Sequence, residues 1–520
     1  MEAIGKVIEE STPSGFLFKA EIDRPIALHD YVYVEVEEPL EGGVRPVKVL
    51  AEILGLEAKN PLATERLVTE LQASLYSYKL LRAEILGYLD ERGRITRPKT
   101  APNPNTPVYR AEDGLLQEYF KGSEELIPLR VGRLTNRPGV LVPIHLQDLQ
   151  YHLGIFAATR AGKSYFAGKL IEEILLNTPF PVVVIDIHAD YVKMDQRAGD
   201  GGRHGDFDVV VYYPPGASKI EGVTAEKRDL LISPKQLTNE AIIELLGATL
   251  GEMQEIVLRG ILRQLRSRRE AFGLGDVTAE VQAKLEEENE KGGKLKGSER
   301  TRYQSLLSRL EDLEEDVSLP PSGINIGDLI RPKTLSVICL NGLRSRIQDA
   351  YCSIIIDLIF RHILSTRAEK ARFLPVFLFV EEAHRVASKT GGSRYAVRTV
   401  STAVREGAKF GLFLTLISQR PRSIDPDILS NIGNYAVFRI TNAQDQYMIE
   451  NASESFSHRL IEDLPGLNQG EAVLVGPFVP LPAHIMTLKR MTMHHGVTPN
   501  LKEIMDSVNL SLERREKARW

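Results

Sequence analysis

The sequence predicts an α/β protein: a buried parallel sheet carrying a phosphate-binding loop, preceded by a small β-barrel and interrupted by an inserted helical segment. Three stretches carry this reading. The first runs from His152-Leu153-Gly154-Ile155-Phe156 through the small-residue turn Ala157-Ala158-Thr159-Arg160-Ala161 into Gly162-Lys163-Ser164 and the helix-forming Tyr165-Phe166-Ala167-Gly168-Lys169. The second is the short apolar run Pro181-Val182-Val183-Val184-Ile185, ending in Asp186. Strand, loop, helix and strand at this spacing form a βαβ unit whose second strand is buried in a parallel sheet. The third is Val376-Phe377-Leu378-Phe379-Val380, an apolar strand that ends in the carboxylate pair Glu381-Glu382.

Taken in order, residues 1–97 alternate short β-branched and aromatic runs with turn residues, as in Phe16 to Ile22, Tyr31 to Val36 and Val47 to Leu54, and a closed barrel is the simplest way to pair them. A polar helix is expected to interrupt it around Thr64 to Tyr76. Residues 98–125 open with Pro98, Pro102, Pro104 and Pro107, which suit neither a helix nor a central strand, and are expected to form a linker. Residues 126–490 form the α/β core, with strands at Leu129 to Gly132 and Gly139 to Ile144 leading into the phosphate loop. Between 238 and 316 leucines recur among abundant charges, the pattern of surface helices inserted into that core. The sheet resumes with Leu335 to Leu340, Val376 to Val380, Leu412 to Ile417, Tyr435 to Ile440 and Glu471 to Val475, and residues 491–520 are a charged tail.

The chain has 520 residues, 43% of them hydrophobic, which allows two or three domains with ordinary cores. No apolar run approaches the roughly 18 residues of a membrane helix, and the N-terminus lacks a signal-peptide core. No membrane association and a cytoplasmic location are therefore expected. The two cysteines, Cys339 and Cys352, belong to no Cys-x-x-Cys or Cys/His cluster, and both read as reduced core residues. A net charge of −5 makes no global case for nucleic-acid binding, so any such surface must be local.

Backbone N–H groups from Ala158, Thr159, Arg160, Ala161, Gly162, Lys163, Ser164 and Tyr165 are placed to wrap a phosphate at the start of a helix. Lys163 would neutralise the β/γ oxygens of a nucleotide and the Ser164 hydroxyl would ligate Mg²⁺. The usual loop pattern opens with Gly where this chain has Ala157. Hydrolysis also needs a carboxylate to hold the metal and another for the attacking water. Glu381 is read as the first and Glu382 as the second, with Asp186 at the end of a neighbouring strand and Gln419 placed to sense the γ-phosphate or share the water. His384 either links the carboxylates to another element or is structural, and stands outside the catalytic set. Arg385, Lys389, Arg394, Arg398, Arg405, Lys409, Arg420 and Arg422 make the segment from Glu381 to Arg422 locally basic, facing DNA phosphates, a nucleotide on a neighbouring subunit, or solvent.

With these pieces together, the chain resembles the HerA family of hexameric DNA translocases, within the HerA/FtsK group of RecA-like ATPases. The likeness rests on Ile155-Phe156-Ala157-Ala158-Thr159 before Gly162-Lys163-Ser164, on Ile185-Asp186-Ile187-His188-Ala189-Asp190-Tyr191, on Val380-Glu381-Glu382-Ala383-His384, on Arg405-Glu406-Gly407-Ala408-Lys409-Phe410-Gly411 and on Ser418-Gln419-Arg420-Pro421. Family members begin with a small barrel of the HAS type and commonly carry Ala at the position of Ala157, but usually have Gly-Ser in place of Arg160-Ala161. The resemblance implies a RecA-like P-loop NTPase core using ATP and Mg²⁺, and a homo-hexameric ring on double-stranded DNA. It also implies a NurA-type nuclease partner in DNA end resection and repair. ATP sites between subunits make Arg405 the candidate finger that completes the neighbour's site. Pairing of Arg405 with Glu406 or Glu382 in its own subunit, or Arg420 or Arg422 as the finger, are the alternatives. Two other classes stand beside this one: a membrane-anchored DNA pump, which the lack of a transmembrane segment opposes, and an ATPase scaffold or switch subunit of an anti-phage defence effector complex.

Overall fold

The computed structural model describes residues 2–8, 11–40, 43–60, 77–122, 125–247, 250–268, 271–290, 297–368, 374–389, 393–453, 456, 458–496, 501–502, 505–506 and 508–509. The helix expected around Thr64 to Tyr76 and most of the C-terminal tail lie outside these residues. The chain divides into two units, Met1–Phe180 with Ile355–Lys489, and Pro181–Ile354 with Arg490–Trp520.

The first unit opens with strands β1 (Gly5–Val7), β2 (Gly15–Glu21), β3 (Tyr31–Leu40), β4 (Gly43–Lys59), β5 (Tyr78–Leu89), β6 (Ile95–Thr96) and β7 (Pro107–Arg110). They pair antiparallel in the order β2-β1-β7-β3-β4-β5-β6, and β5 returns to β2 to close a barrel with no long free edge. Alternation decides what lies inside: Phe16, Phe18 and Ala20 of β2 and Val32, Val34 and Val36 of β3 point into a core with Val49, Ile53, Leu81 and Val108. Register shifts at Leu50/Ala51 and Ile53/Gly55 bend the long β4–β5 pair around it.

The barrel does not end at residue 97. The stretch 98–125, expected as a linker, supplies β7, which seats between β1 and β3 with Val108 wholly buried. Its prolines permit this because Pro107 is the first residue of the strand, where a missing N–H breaks no interior ladder bond. Helix α1 (Asp113–Lys121) follows, burying Leu116, Tyr119 and Phe120. The Tyr119 hydroxyl donates to the carbonyls of Lys48 (3.0 Å) and Gly87 (3.3 Å), which ties the helix to the barrel.

Strands β8 (Pro128–Leu134) and β9 (Leu141–His145) form an antiparallel hairpin. They precede the strand that feeds the phosphate loop. A short 3-10 turn, Leu146–Tyr151, intervenes, and a separate fully buried strand, β10 (Leu153–Phe156), leads into helix α2 (Lys163–Asn177).

The second unit holds β11 (Val182–Asp186), β12 (Asp208–Tyr213), β13 (Glu226–Asp229) and β14 (Thr334–Cys339), all parallel in the order β13-β12-β14-β11. Helices α3 (Asn239–Leu246), α4 (Glu252–Arg268), α5 (Leu274–Glu290) and α6 (Gly297–Asp316) occupy the leucine- and charge-rich stretch. Leu258, Ile261, Leu262 and Leu265 form the buried stripe of α4, the 3.6-residue period made physical. Thr492 bridges to Arg197, so the residues just past 490 are still packed here. Cys339 and Cys352 are buried free thiols.

Beyond α7 (Ser345–Ala368) the first unit continues with β15 (Val376–Val380), α8 (Arg394–Phe410), β16 (Leu412–Ser418), α9 (Pro426–Leu429), β17 (Asn434–Phe438), α10 (Ala443–Ala452), α11 (His458–Asp463), β18 (Glu471–Val475) and β19 (Ala483–Thr487). Its sheet runs β15-β16-β10-β17-β18-β19-β8-β9, parallel through β17 and antiparallel after it. Register then positions the site: Phe156 lies opposite Ser418, and Val380 opposite Leu416. Three parallel strands therefore end at nearly one level, and the residues that follow them share one edge of the sheet.

Candidate nucleotide site

The loop after β10 is held at both ends by backbone. Ala158 N–H donates to Arg439 O (2.9 Å), Ala157 N–H to Ser418 O (3.3 Å), and Gly470 N–H to Ala161 O (2.9 Å). Gly162 turns the chain into α2 with φ 119°, and a Cβ there would meet the Gly470 backbone at 3.2–3.3 Å, so conformation and space both call for glycine. Phe166 N–H makes the first helical bond, to Gly162 O, leaving the N–H groups of the first turn directed at the loop's mouth. Arg160 also adopts the left-handed conformation, at φ 65°, with its side chain exposed.

Side chains from the ends of two neighbouring strands, β15 and β16, meet this loop. Lys163 Nζ lies 3.3 Å from Glu382 Oε1, and Ser164 Oγ lies 3.4 Å from Glu381 Oε1. The Gln419 amide donates to Glu382 Oε1 at 2.8 Å, while its carbonyl accepts from the Thr159 hydroxyl at 2.7 Å, a bridge from the loop to the carboxylate. His384 Nδ1 is 3.3 Å from Glu382 Oε2 and 3.1 Å from Ser418 Oγ. Glu381, Glu382 and Lys163 are 0%, 6% and 8% exposed, so these contacts are made largely out of water. Glu382 sits at φ 45°, a left-handed backbone that a glutamate occupies only when its surroundings impose it.

Electrostatics follows from this packing. Burial pushes the Glu382 carboxyl up, but Lys163 and the Gln419 hydrogen bond outweigh it and hold the group below its ordinary value. Burial lowers His384, and the nearby cations Arg420, Arg385 and Lys163 oppose the raising effect of Glu382, so the imidazole is neutral near pH 7. Ser164 Oγ and Glu381 supply hard oxygen donors side by side, the donor set that suits Mg²⁺. An ammonium at a helix start, its counter-charge supplied by a displaceable carboxylate, fits the phosphates of a nucleotide.

Asp186 and Arg405 have surroundings of their own. Asp186, expected in the catalytic set, is fully buried in the second unit and accepts from the backbone N–H of Asp190 and Tyr191, both at 3.0 Å. It therefore builds its own turn. Burial and the neighbouring Asp190 push it up to about 7. Arg405 lies near the C-terminus of α8, exposed, and among the described residues it forms no ion pair with Glu406 or Glu382. The seven residues of β16 separate that end of the helix from Gln419, roughly 20 Å at strand rise. Arg394, Arg398, Arg405 and Lys409 are all exposed and fall within an arc of about 60° on α8, opposite the buried Ala396, Val400, Ala403, Val404 and Gly407. Arg420 is exposed beside Gln419, whereas Arg422 is occupied by Gln444 (2.8 Å). His384, left out of the catalytic set, is drawn into the site; its place two residues past Glu382 was the available signal.

A family model, "Helicase HerA, central domain", matches residues 129–359. A Methanocaldococcus jannaschii protein named as a probable helicase is 26% identical over 99% of this chain and 96% of its own length. The DNA double-strand break repair helicase HerA of Pyrococcus furiosus is 26% identical over 93% of this chain and 91% of its own. Residues 129–359 carry the HerA central domain. Among solved structures, VirB4 of Thermoanaerobacter pseudethanolicus aligns with a TM-score of 0.50 at 15% identity, over 70% of this chain and 96% of that one, and shows the shared P-loop NTPase fold.

Proposed function

We propose that this chain is an ATP-driven DNA translocase that assembles as a six-membered ring around duplex DNA in the cytoplasm and works with a NurA-type nuclease on DNA ends. The observation that carries the reading is the meeting of Lys163, Glu382, Gln419 and Thr159 at the mouth of the phosphate loop, beside Ser164 and Glu381. The substrate is ATP. Lys163 exchanges Glu382 for the β/γ-phosphate oxygens, and Glu382, released, orients and deprotonates the attacking water. Gln419 reports the γ-phosphate to Thr159. Ser164 and Glu381 would hold Mg²⁺, which supplies charge neutralisation on the phosphates. Arg405, remote from its own site, is assigned to the neighbouring copy's nucleotide, and Arg394 and Arg398 to DNA phosphates. Among the described residues no helix is long and apolar enough to cross a membrane.

The test is ATPase activity with and without linear duplex DNA, on protein whose mass in solution has been measured. A hexameric mass and DNA-stimulated turnover are expected. Turnover indifferent to duplex would favour the scaffold or switch reading.

A further inference from the structure

A second polar cluster shares no residue with the phosphate-loop site and joins the barrel to the last elements of the first unit. His29 comes from the β2–β3 turn, Asp463 ends α11, and His484 lies in β19. Asp463 Oδ2 is 3.3 Å from His29 Nε2 and 3.8 Å from His484 Nε2, and the three donor atoms all lie within 4.8 Å of one another. The two rings approach to 4.5 Å between centroids. His484 is 8% exposed, yet its Nε2 makes no hydrogen bond, and neither does Asp463 Oδ2. Two buried polar atoms that face each other with neither one hydrogen-bonded are a costly arrangement, and a cation there would resolve it.

We propose that His29, Asp463 and His484 bind a divalent transition-metal ion of the zinc type, which clamps the β2–β3 turn of the barrel to α11 and β19. Two imidazoles and a carboxylate are borderline donors of the kind zinc takes, with water filling the remaining position. Tetrahedral bonds of 2.0–2.1 Å place donors about 3.4 Å apart. Of the three spacings one already matches this, a second exceeds it by about 0.4 Å, and the third is within 4.8 Å.

The surroundings also fit. Glu52 Oε1, buried on β4, lies 2.9 Å from His29 Nδ1, the carboxylate–histidine contact that orients a ligating imidazole. The His29 backbone is fixed at φ 61° by its N–H to Ile53 O (2.8 Å) and by the Asn136 amide on its own carbonyl, so the ring is presented from a held, left-handed turn. Sequence spacing alone did not reveal the set, because its members are scattered from residue 29 to residue 484.

The experiment uses full-length, tag-free protein stripped with a chelator, then titrated with Zn²⁺ against a chromophoric competitor with excess Mg²⁺ present to occupy the nucleotide site. One equivalent of Zn²⁺ per chain is expected, with a rise in thermal midpoint. His29→Ala, His484→Ala and the shape-conserving Asp463→Asn should each remove it, and Glu52→Gln should weaken it about 10- to 100-fold. Co²⁺ in place of Zn²⁺ should give visible d–d absorption that His484→Ala abolishes. Failure of the wild-type chain to take up an equivalent, or uptake equal in Asp463→Asn and wild type, would overturn the proposal. The first of these outcomes would leave an imidazolium–carboxylate clasp as the function of the cluster.

Discussion

Glu382→Gln isolates the charge that the proposed mechanism depends on. The amide has nearly the same shape, its oxygen can still accept from Gln419, and it cannot take a proton from water. Loss of the general base should lower kcat by about 10²- to 10⁴-fold. Nucleotide binding should change in the opposite direction. Lys163 lies 3.3 Å from Glu382 Oε1, and at an effective dielectric of about 20 that pair attracts by about 5 kcal/mol, which ATP must overcome when it draws Lys163 to its phosphates. Much of that is recovered in the new contacts; if only a quarter remains, about 1.3 kcal/mol, removing the charge tightens binding about tenfold. The assay pairs steady-state turnover with equilibrium binding of a fluorescent ATP analogue. Turnover within twofold of wild type, or binding weaker than wild type, would refute the assignment of Glu382 and the competition argued for Lys163.

Arg405→Ala should be inactive as a pure ring. When co-assembled with Lys163→Ala subunits it should regain ATP turnover at its own intact sites; absence of recovery in rings of proven mixed composition would remove Arg405 from the neighbour's site. His152, 2% exposed, accepts from Leu414 N–H at Nδ1 (3.0 Å) and so donates from Nε2 to Val404 O (2.8 Å), and burial lowers it to about 4 against the raising effect of that last bond. A histidine with its folded pKa depressed from 6.5 binds its proton more readily when unfolded. Its contribution is therefore complete above about pH 6.5 and is lost as pH falls toward 4, about 3 kcal/mol in all. His152→Gln should flatten that part of the stability–pH curve in urea denaturation, and an unchanged slope would show that other groups set it. Arg160→Gly should relieve a left-handed cost of about 1 kcal/mol, partly offset by the freer unfolded chain. A thermal midpoint raised by about 1–2 °C is expected, and a lowered one would mean the Arg160 side chain holds the loop.

What the sequence determined by itself was local. Parallel strands buried on both faces must be continuous apolar runs, so β10, β11, β14, β15 and β16 were legible. So was the position of Glu381-Glu382 and Gln419 directly after such runs, and of Gly162-Lys163-Ser164 one short loop after β10. The barrel was legible from alternation, and the inserted helices from leucine spacing. The prolines of residues 98–125 concealed β7, since composition alone does not distinguish a linker from a strand whose first residue is proline. The structure also turned Asp186 toward its own backbone and carried Arg405 to the far end of β16. The tertiary fold alone decided the rest. The bridge from Thr159 through Gln419 to Glu382 exists because Phe156 pairs opposite Ser418. His29, Asp463 and His484 meet because barrel and sheet pack together. Periodicity along a chain records which face a residue buries. Register between distant strands is set by the packing of the whole core, so no window of sequence contains it.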